Sequence, residues 1–382
     1  MEGDESERAG AGSADGARAV RRWRGLATGL PGKLALLLGS CVLVLLAAEL
    51  GIRILQQDLS TASRLHQKDD LFRAAYPVRH DAELGWTPRS TAATQKNAWG
   101  TVVTIDQDGI RSNGGDAPAR PRGLVLAVGD SFTFGDQVSD NQTWPALLEQ
   151  QSGLRVLNAG VFGYGLDQTV LRAERLLRSL RPSIVILGMI PHDIYRCELS
   201  RLMGAAKPFF SIEPSGGLVL RNVPVPKPSG SGPGRLRMML GRSRLIDMVM
   251  MRLDPSSWLR QTEAAQVEHQ DGLHVACALL DKAGRLTAAA GARLVVLVQY
   301  TREELNEDPG RISYLLRCVD DPSVTVLDLR SELVDLRGRD PERFSSLFDG
   351  HMTAAGNYLV AGRLNEVLLE AGLMPAGSNP PE

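Results

Sequence analysis

The sequence predicts an α/β protein in three layers, with helices on both faces of a five-stranded parallel sheet. One membrane-spanning helix and a small β-rich segment precede that domain. Three observations predict it. From Gly123 onward, short apolar runs alternate with stretches of helical periodicity. Five of those runs are apolar almost throughout, as strands buried on both faces require. A single long apolar run, residues 34–48, stands behind a cluster of arginines near the N-terminus.

Composition bounds the reading. A 43% hydrophobic chain of 382 residues can build a packed core, which excludes wholesale disorder. A net charge of −1 argues against a general nucleic-acid binder, which needs an excess of Lys and Arg on one face. Four cysteines are too few for a disulfide scaffold, and none stands as C-x-x-C or near His at zinc spacing. His66, His80, His269 and His274 lack convergent spacing, so no metal site and no cofactor are expected.

Residues 1–31 read as a disordered cytoplasmic tail, rich in Gly, Ala, Ser, Glu and Arg. Residues 32–55 read as a transmembrane signal anchor. The uninterrupted apolar part is 15 residues, short of the ~20 that a spanning helix wants. Leu50, Ile52, Ile54 and Leu55 extend it, and Glu49 and Arg53 can pair at i,i+4. Arg18, Arg21, Arg22, Arg24 and Lys33 place the N-terminal side in the cytoplasm. The leader is long and no A-x-A follows, which disfavours cleavage. Cys41, in a loose lipobox, lies in mid-run. The expected localisation is the cell membrane, single-pass, with an extracytoplasmic C-terminal domain.

Residues 56–122 read as a β-rich linker segment laid against the main domain, with residues 102–105 as a strand entering a turn. The main domain covers residues 123–374, and 375–382 form a flexible tail. Its strands are expected at 124–128, 155–159, 184–188, 294–299 and 324–329, with helices over 144–151, 168–179 and up to Glu370. In such a sheet, ligands sit at the carboxyl ends of the strands. An insertion at about 196–268 carries a hairpin signal around 213–217. Residues 223–233 read as a surface loop. The basic, Met-rich stretch 236–253 reads as a helix over the active-site mouth, with a membrane-surface position as the alternative.

Three blocks carry chemistry. Gly129-Asp130-Ser131 follows the first strand, which puts Ser131 at the head of a helix where a nucleophile would be exposed. Residues 157–165 (LNAGVFGYG) follow the second strand and offer backbone N–H groups toward an oxyanion, with Gly160 and Gly165 read as turn formers. Asp349-Gly350-His351 precedes the last helix, and suits a general base beside a carboxylate.

In this order and after these strands, the blocks resemble the SGNH/GDSL hydrolase superfamily over about residues 123–372. Glu83-Leu84-Gly85-Trp86 and residues 105–111 look like its membrane-anchored bacterial branch. The resemblance implies a flavodoxin-like α/β/α fold and a serine esterase. Ser131 would be the nucleophile, His351 the base and Asp349 its orienting acid. Ser131 and Gly163 would supply backbone oxyanion donors. One block departs: where the family carries Asn-Asp, this chain reads His192-Asp193. A neutral imidazole N–H at His192 can donate in place of the amide; alternatively His192 packs or caps.

The implied substrates are acylated carbohydrates of the cell envelope or exported glycans, or lipid esters. The alternatives are an O-acyltransferase on such glycans and a non-catalytic carbohydrate-binding module on a degenerate fold. Cys277 falls in an apolar helical stretch and reads as buried and inert, leaving Cys197–Cys318 as the disulfide to test.

Overall fold

The computed structural model describes residues 30–56, 78–91, 100–119, 121–203, 205–227, 235–253, 265–267 and 271–374. The tail before Leu30, residues 228–233 of the expected surface loop, the C-terminal tail after Met374, and His66 and His269 lie outside these residues. The chain divides into two compact units, Met1–Arg64 with Gly234–Trp258, and Leu65–Pro233 with Leu259–Glu382.

In the first unit, a helix spans Leu30–Leu55. Its Gly32–Leu55 portion, with mean hydropathy 2.3, is long and apolar enough to cross a membrane. The Met-rich stretch forms two short helices, Arg235–Leu240 and Arg244–Leu253. The longer one packs against the apolar helix, and the Glu49 carboxylate accepts from Ser243 Oγ (2.8 Å), Arg244 N (2.8 Å) and Leu245 N (2.9 Å). The stretch expected as one helix is thus two, and the longer is joined to the N-terminal helix. The partner that organises it is the N-terminal helix, because a buried-end carboxylate satisfies the free N–H groups at its start.

The second unit is built on five parallel strands: β1 (Leu124–Val128), β2 (Arg155–Asn158), β3 (Ile184–Met189), β4 (Arg293–Val298) and β5 (Thr325–Asp328). Their spatial order is β5-β4-β3-β1-β2, which is the flavodoxin-like order. Every residue of the central β3 is buried, as its unbroken Ile-Val-Ile-Leu run requires. Two helices lie together on one side, α2 (Trp144–Ser152) and α6 (Ala354–Glu370), and two on the other, α3 (Leu166–Leu177) and α5 (Gly272–Ala289). Thr143, Thr353 and Asp271 cap α2, α6 and α5 with side-chain oxygens. Asn357 of α6 accepts from Trp144 N at 2.9 Å, which fixes α6 on α2. Two further helices bear directly on the site: α1 (Ser131–Phe134) and α4 (His192–Arg196).

The N-terminal segment of this unit is a hairpin, Val78–Asp81 with Gly85–Pro88. Arg175 of α3 holds Asp81 through two 2.7 Å bonds. Among the described residues, 102–105 form isolated bridges rather than a strand, at Val102 and at Ile105, the latter to Arg111. The insertion hairpin pairs Phe209–Ile212 with Leu218–Arg221, as its turn residues predict. Beside it, fully buried Lys207 pairs with Asp167 of α3 and donates to the Leu199 carbonyl.

The disulfide expectation is also corrected. Cys277 of α5 is bonded to Cys318 at a Cα separation of 5.5 Å, while Cys197 is a buried thiol outside any disulfide. Helix Gly310–Arg317 packs on α5 and delivers Cys318 to it. A maleimide should therefore label Cys41 alone in the native protein, and Cys41 plus Cys197 after unfolding without reductant. The Cys318→Ser variant should lose about 2–4 kcal/mol of stability in urea unfolding. Labelling of Cys277 in the unreduced chain would contradict this pairing.

Candidate active site

Ser131 lies three residues beyond the carboxyl end of β1, at the first position of α1. Asp130 caps that helix, its carboxylate accepting from Phe132 N at 2.9 Å. Ser131 Oγ stands 3.0 Å from His351 Nε2. Its other neighbour, Asp130 Oδ2, is at 3.4 Å, so the single hydroxyl proton is best shared with the imidazole.

His351 comes from a two-stranded turn, Phe348–Asp349 paired with His351–Met352, with Gly350 at φ 76° between them. The expected orienting acid, Asp349, is exposed and makes no hydrogen bond to the ring among the described residues. It faces His351 only as a backbone pair in the turn. The partner of His351 Nδ1 is Gln137 Oε1 at 3.1 Å, and the same oxygen accepts from His351 N at 2.8 Å. A backbone N–H can only donate, which assigns the oxygen of the amide to this side. Nδ1 therefore carries its proton toward Gln137, and Nε2 presents a lone pair to Ser131. Gly350 is needed here, because a Cβ at its left-handed backbone would stand 3.2 Å from Gln137 Oε1.

Two residues of the site were not singled out from the sequence. Gln137 holds φ 70°, a conformation that costs an ordinary side chain about 1–3 kcal/mol and persists only when its surroundings enforce it. Asp136, with 1% side-chain exposure, places Oδ2 at 3.7 Å from His351 Nε2. That is too long for a hydrogen bond, yet close enough to favour an imidazolium once Nε2 takes a proton. Both residues sit in the Gly129–Gln137 block beside the serine, and proximity to it was the available signal.

Gly163 lies in the loop after β2 at φ 71°, and its N–H has no acceptor among the described residues. Trp86 buttresses that loop. Its Nε1 donates to the Phe162 carbonyl at 3.2 Å, and Tyr164 Oη donates to the Trp86 carbonyl at 2.5 Å. Gly160, expected to form a turn, permits a close approach: a Cβ there would lie 2.3 Å from Phe134 N.

His192 opens α4, and its backbone N–H donates to Glu304 at 2.8 Å. Its ring lies 5.2 Å from the Tyr195 ring and makes no side-chain hydrogen bond among the described residues. The next carboxyl, Asp193, is buried with Arg196, whose Nη1 donates to Asp193 Oδ1 (2.6 Å), Tyr164 O (2.9 Å) and Asp130 Oδ2 (3.3 Å). Burial and the neighbouring Asp130 push the Asp193 carboxyl well above the carboxylate range, with Arg196 opposing. Burial holds His351 below the ordinary imidazole value of 6.5, against the pull of Asp130. His192 is lowered by burial and by Arg196. No cluster of His, Cys, Asp and Glu suited to a metal occurs among the described residues.

The side chains and fold together define a class: a flavodoxin-like α/β/α protein with a Ser–His pair at the carboxyl edge of its sheet. No protein-family profile matches the chain, and no curated protein matches it. Solved structures of similar fold include a protein described as a G-D-S-L family lipolytic protein from Desulfitobacterium hafniense DCB-2. It is 16% identical, with 64% of this chain and 99% of that one covered at a TM-score of 0.36. A catalytic mutant of Axe2, an acetylxylan esterase from Geobacillus stearothermophilus, is 13% identical over 67% of this chain and 96% of its own, at 0.37. The salicylyl-acyltransferase SsfX3 of a tetracycline biosynthetic pathway is 16% identical over 67% and 57%, at 0.33. The chemistry rests on this chain's own side chains.

The Gln137 contact yields a two-part prediction. Gln137→Ala should lower kcat about 10²-fold, the lower end of what a general base contributes, with KM little changed. Gln137→Glu should keep the orientation and add charge. With the neutral imidazole acting as base, kcat/KM should fall as pH drops through the His351 pKa, which lies below 6.5. A carboxylate at 137 stabilises the imidazolium, so the acid limb should move up by about one pH unit or more. An unmoved limb would show that Gln137 does not hold the base.

Proposed function

We propose that the chain is a serine esterase of SGNH/GDSL type, acting on ester-linked acyl groups. The observation that carries the reading is Ser131 Oγ at 3.0 Å from His351 Nε2, with Nδ1 held by Gln137. In the forward step Ser131 Oγ attacks the ester carbonyl while its proton passes to His351 Nε2. Asp136 supports the imidazolium so formed, and the oxyanion is met by the N–H groups of Ser131 and Gly163 and by the His192 ring. The tetrahedral adduct collapses as Nε2 returns the proton to the leaving alkoxide. Water, deprotonated by the same nitrogen, then releases the acid and regenerates Ser131.

The helix Leu30–Leu55 supports single-pass anchoring in the cell membrane, and the arginines before it support an extracytoplasmic second unit. Anchored there, the enzyme would meet acylated carbohydrates of the envelope. The same acyl-enzyme serves an O-acyltransferase when a sugar hydroxyl takes the place of water. A binding module without chemistry is the reading the Ser–His contact disfavours.

A serine-directed fluorophosphonate should label the wild-type chain at Ser131 and leave Ser131→Ala unlabelled, with hydrolysis of a short activated acetyl ester abolished in the folded variant. Full esterase activity in Ser131→Ala would overturn the assignment. For the third oxyanion donor, His192→Ala should cost about 10²–10³ in kcat with little effect on KM. His192→Asn should retain much of the activity. Unchanged turnover in His192→Ala would leave the two backbone donors as the whole oxyanion hole.

A further inference from the structure

Helix Arg244–Leu253 buries charge and shows apolar side chains, and helix Arg235–Leu240 adds exposed apolar side chains beside it. Arg244 and Asp247 are 1% and 6% exposed, while Leu236, Met239 and Leu253 stand 69%, 65% and 74% exposed, with Met248, Val249 and Met251 exposed beside them. A helix packed in water buries its Leu and Met and shows its charges. In helix Arg244–Leu253 that order is reversed at Arg244 and Asp247, so the outer face suits an apolar medium.

The attachment point says which medium. Glu49 ends the unbroken apolar run of the N-terminal helix and binds the start of helix Arg244–Leu253 through Ser243 Oγ, Arg244 N and Leu245 N. Arg53 completes the joint, donating to Glu49 at 2.7 Å and to the Arg242 carbonyl at 2.6 Å. From Gly32 to Glu49 the helix rises about 26 Å at 1.5 Å per residue, close to the thickness of a hydrocarbon core. The joint therefore falls at the boundary between acyl chains and headgroups. The stretch 235–253 carries five arginines against one aspartate, the charge that anionic headgroups attract.

We propose that helices Arg235–Leu240 and Arg244–Leu253 lie in the interface of the membrane that helix Leu30–Leu55 spans, with their exposed Leu, Met and Val side chains in contact with phospholipid. The proposal rests on the reading of that helix as a membrane span. Because the chain passes between the two units three times, after residues 64, 233 and 258, such a foot would tether the catalytic unit at more than one point. Its substrates would then be esters held close to the bilayer.

The test uses the full chain in nanodiscs of phosphatidylcholine and phosphatidylglycerol. Nitroxides are placed at native Cys41, which is exposed on the span, and at Met239→Cys and Val249→Cys in a Cys41→Ser background. Both new sites are exposed, so the labels leave packing intact. Tyr358→Cys, on the exposed face of α6, gives the aqueous reference. Power-saturation EPR compares collisions with oxygen and with a water-soluble nickel chelate. Oxygen should dominate at 41, 239 and 249, and nickel at 358. Nickel dominance at 239 or 249 with oxygen dominance at 41 overturns the proposal and leaves the span standing. Nickel dominance at 41 overturns both.

Discussion

The geometry of the site depends on one buried cation. Arg111 Nη1 donates to the carbonyls of Phe134 (2.8 Å) and Gly135 (2.6 Å), Nη2 to Val138 (2.7 Å), and Nε to Asp140 (3.1 Å). Its guanidinium also lies 4.9 Å over the Phe134 ring. A buried charge costs several kcal/mol unless it is paired and fully hydrogen-bonded, and here the partners are the loop that runs from α1 through Gln137. Closing that loop around a cation is what keeps Gln137 in its left-handed conformation. Arg111 is itself pinned, its N–H donating to the Asn158 carbonyl at the end of β2. The segment before β1 is thus part of the scaffold of the site rather than a linker to it.

Gln137 in the orienting position changes how the base is supported. An amide oxygen fixes the tautomer as well as a carboxylate does, but brings no full charge to stabilise the imidazolium. Charge comes instead from Asp136, on the Nε2 side of the ring. The negative group therefore faces the atom that receives the proton. It acts through space rather than through a hydrogen bond, so its effect grows only as charge develops.

The sheet was legible because parallel strands buried on both faces leave unbroken apolar runs, and all five were found within a residue or two. Ser131 and His351 were marked by position, at a strand end and ahead of a helix. Asp349 stands two residues from His351 in sequence, and nearness along the chain does not bring its carboxyl to the ring. Gly350 turns the chain so that Asp349 and His351 pair only through backbone, while the true partner of Nδ1 lies 214 residues away. Composition also could not say which face of the Met-rich stretch would be buried. That depended on Glu49, 195 residues from the Arg244 N–H it accepts. The cysteine pairing failed for a related reason: Cys277 was read from its own helix, and its partner arrives on another.

The field around Ser131 is set by carboxyls that one guanidinium offsets. Asp130 stands next to Ser131, where an isolated anion would oppose a developing oxyanion. Arg196 binds it and Asp193 together, so one guanidinium offsets the nearest negative charge. The same pair acts on His351 with opposite signs, Asp130 raising its pKa and Arg196 lowering it, while burial, the largest influence, lowers it. The base is therefore tuned chiefly by exclusion of water. Its affinity for a proton is tied to how well the Phe132 ring, 5.1 Å from the imidazole, and the loop held by Arg111 stay closed around it. Opening that shell would return His351 toward an ordinary imidazole, so the packing that holds the geometry also sets the acid–base chemistry.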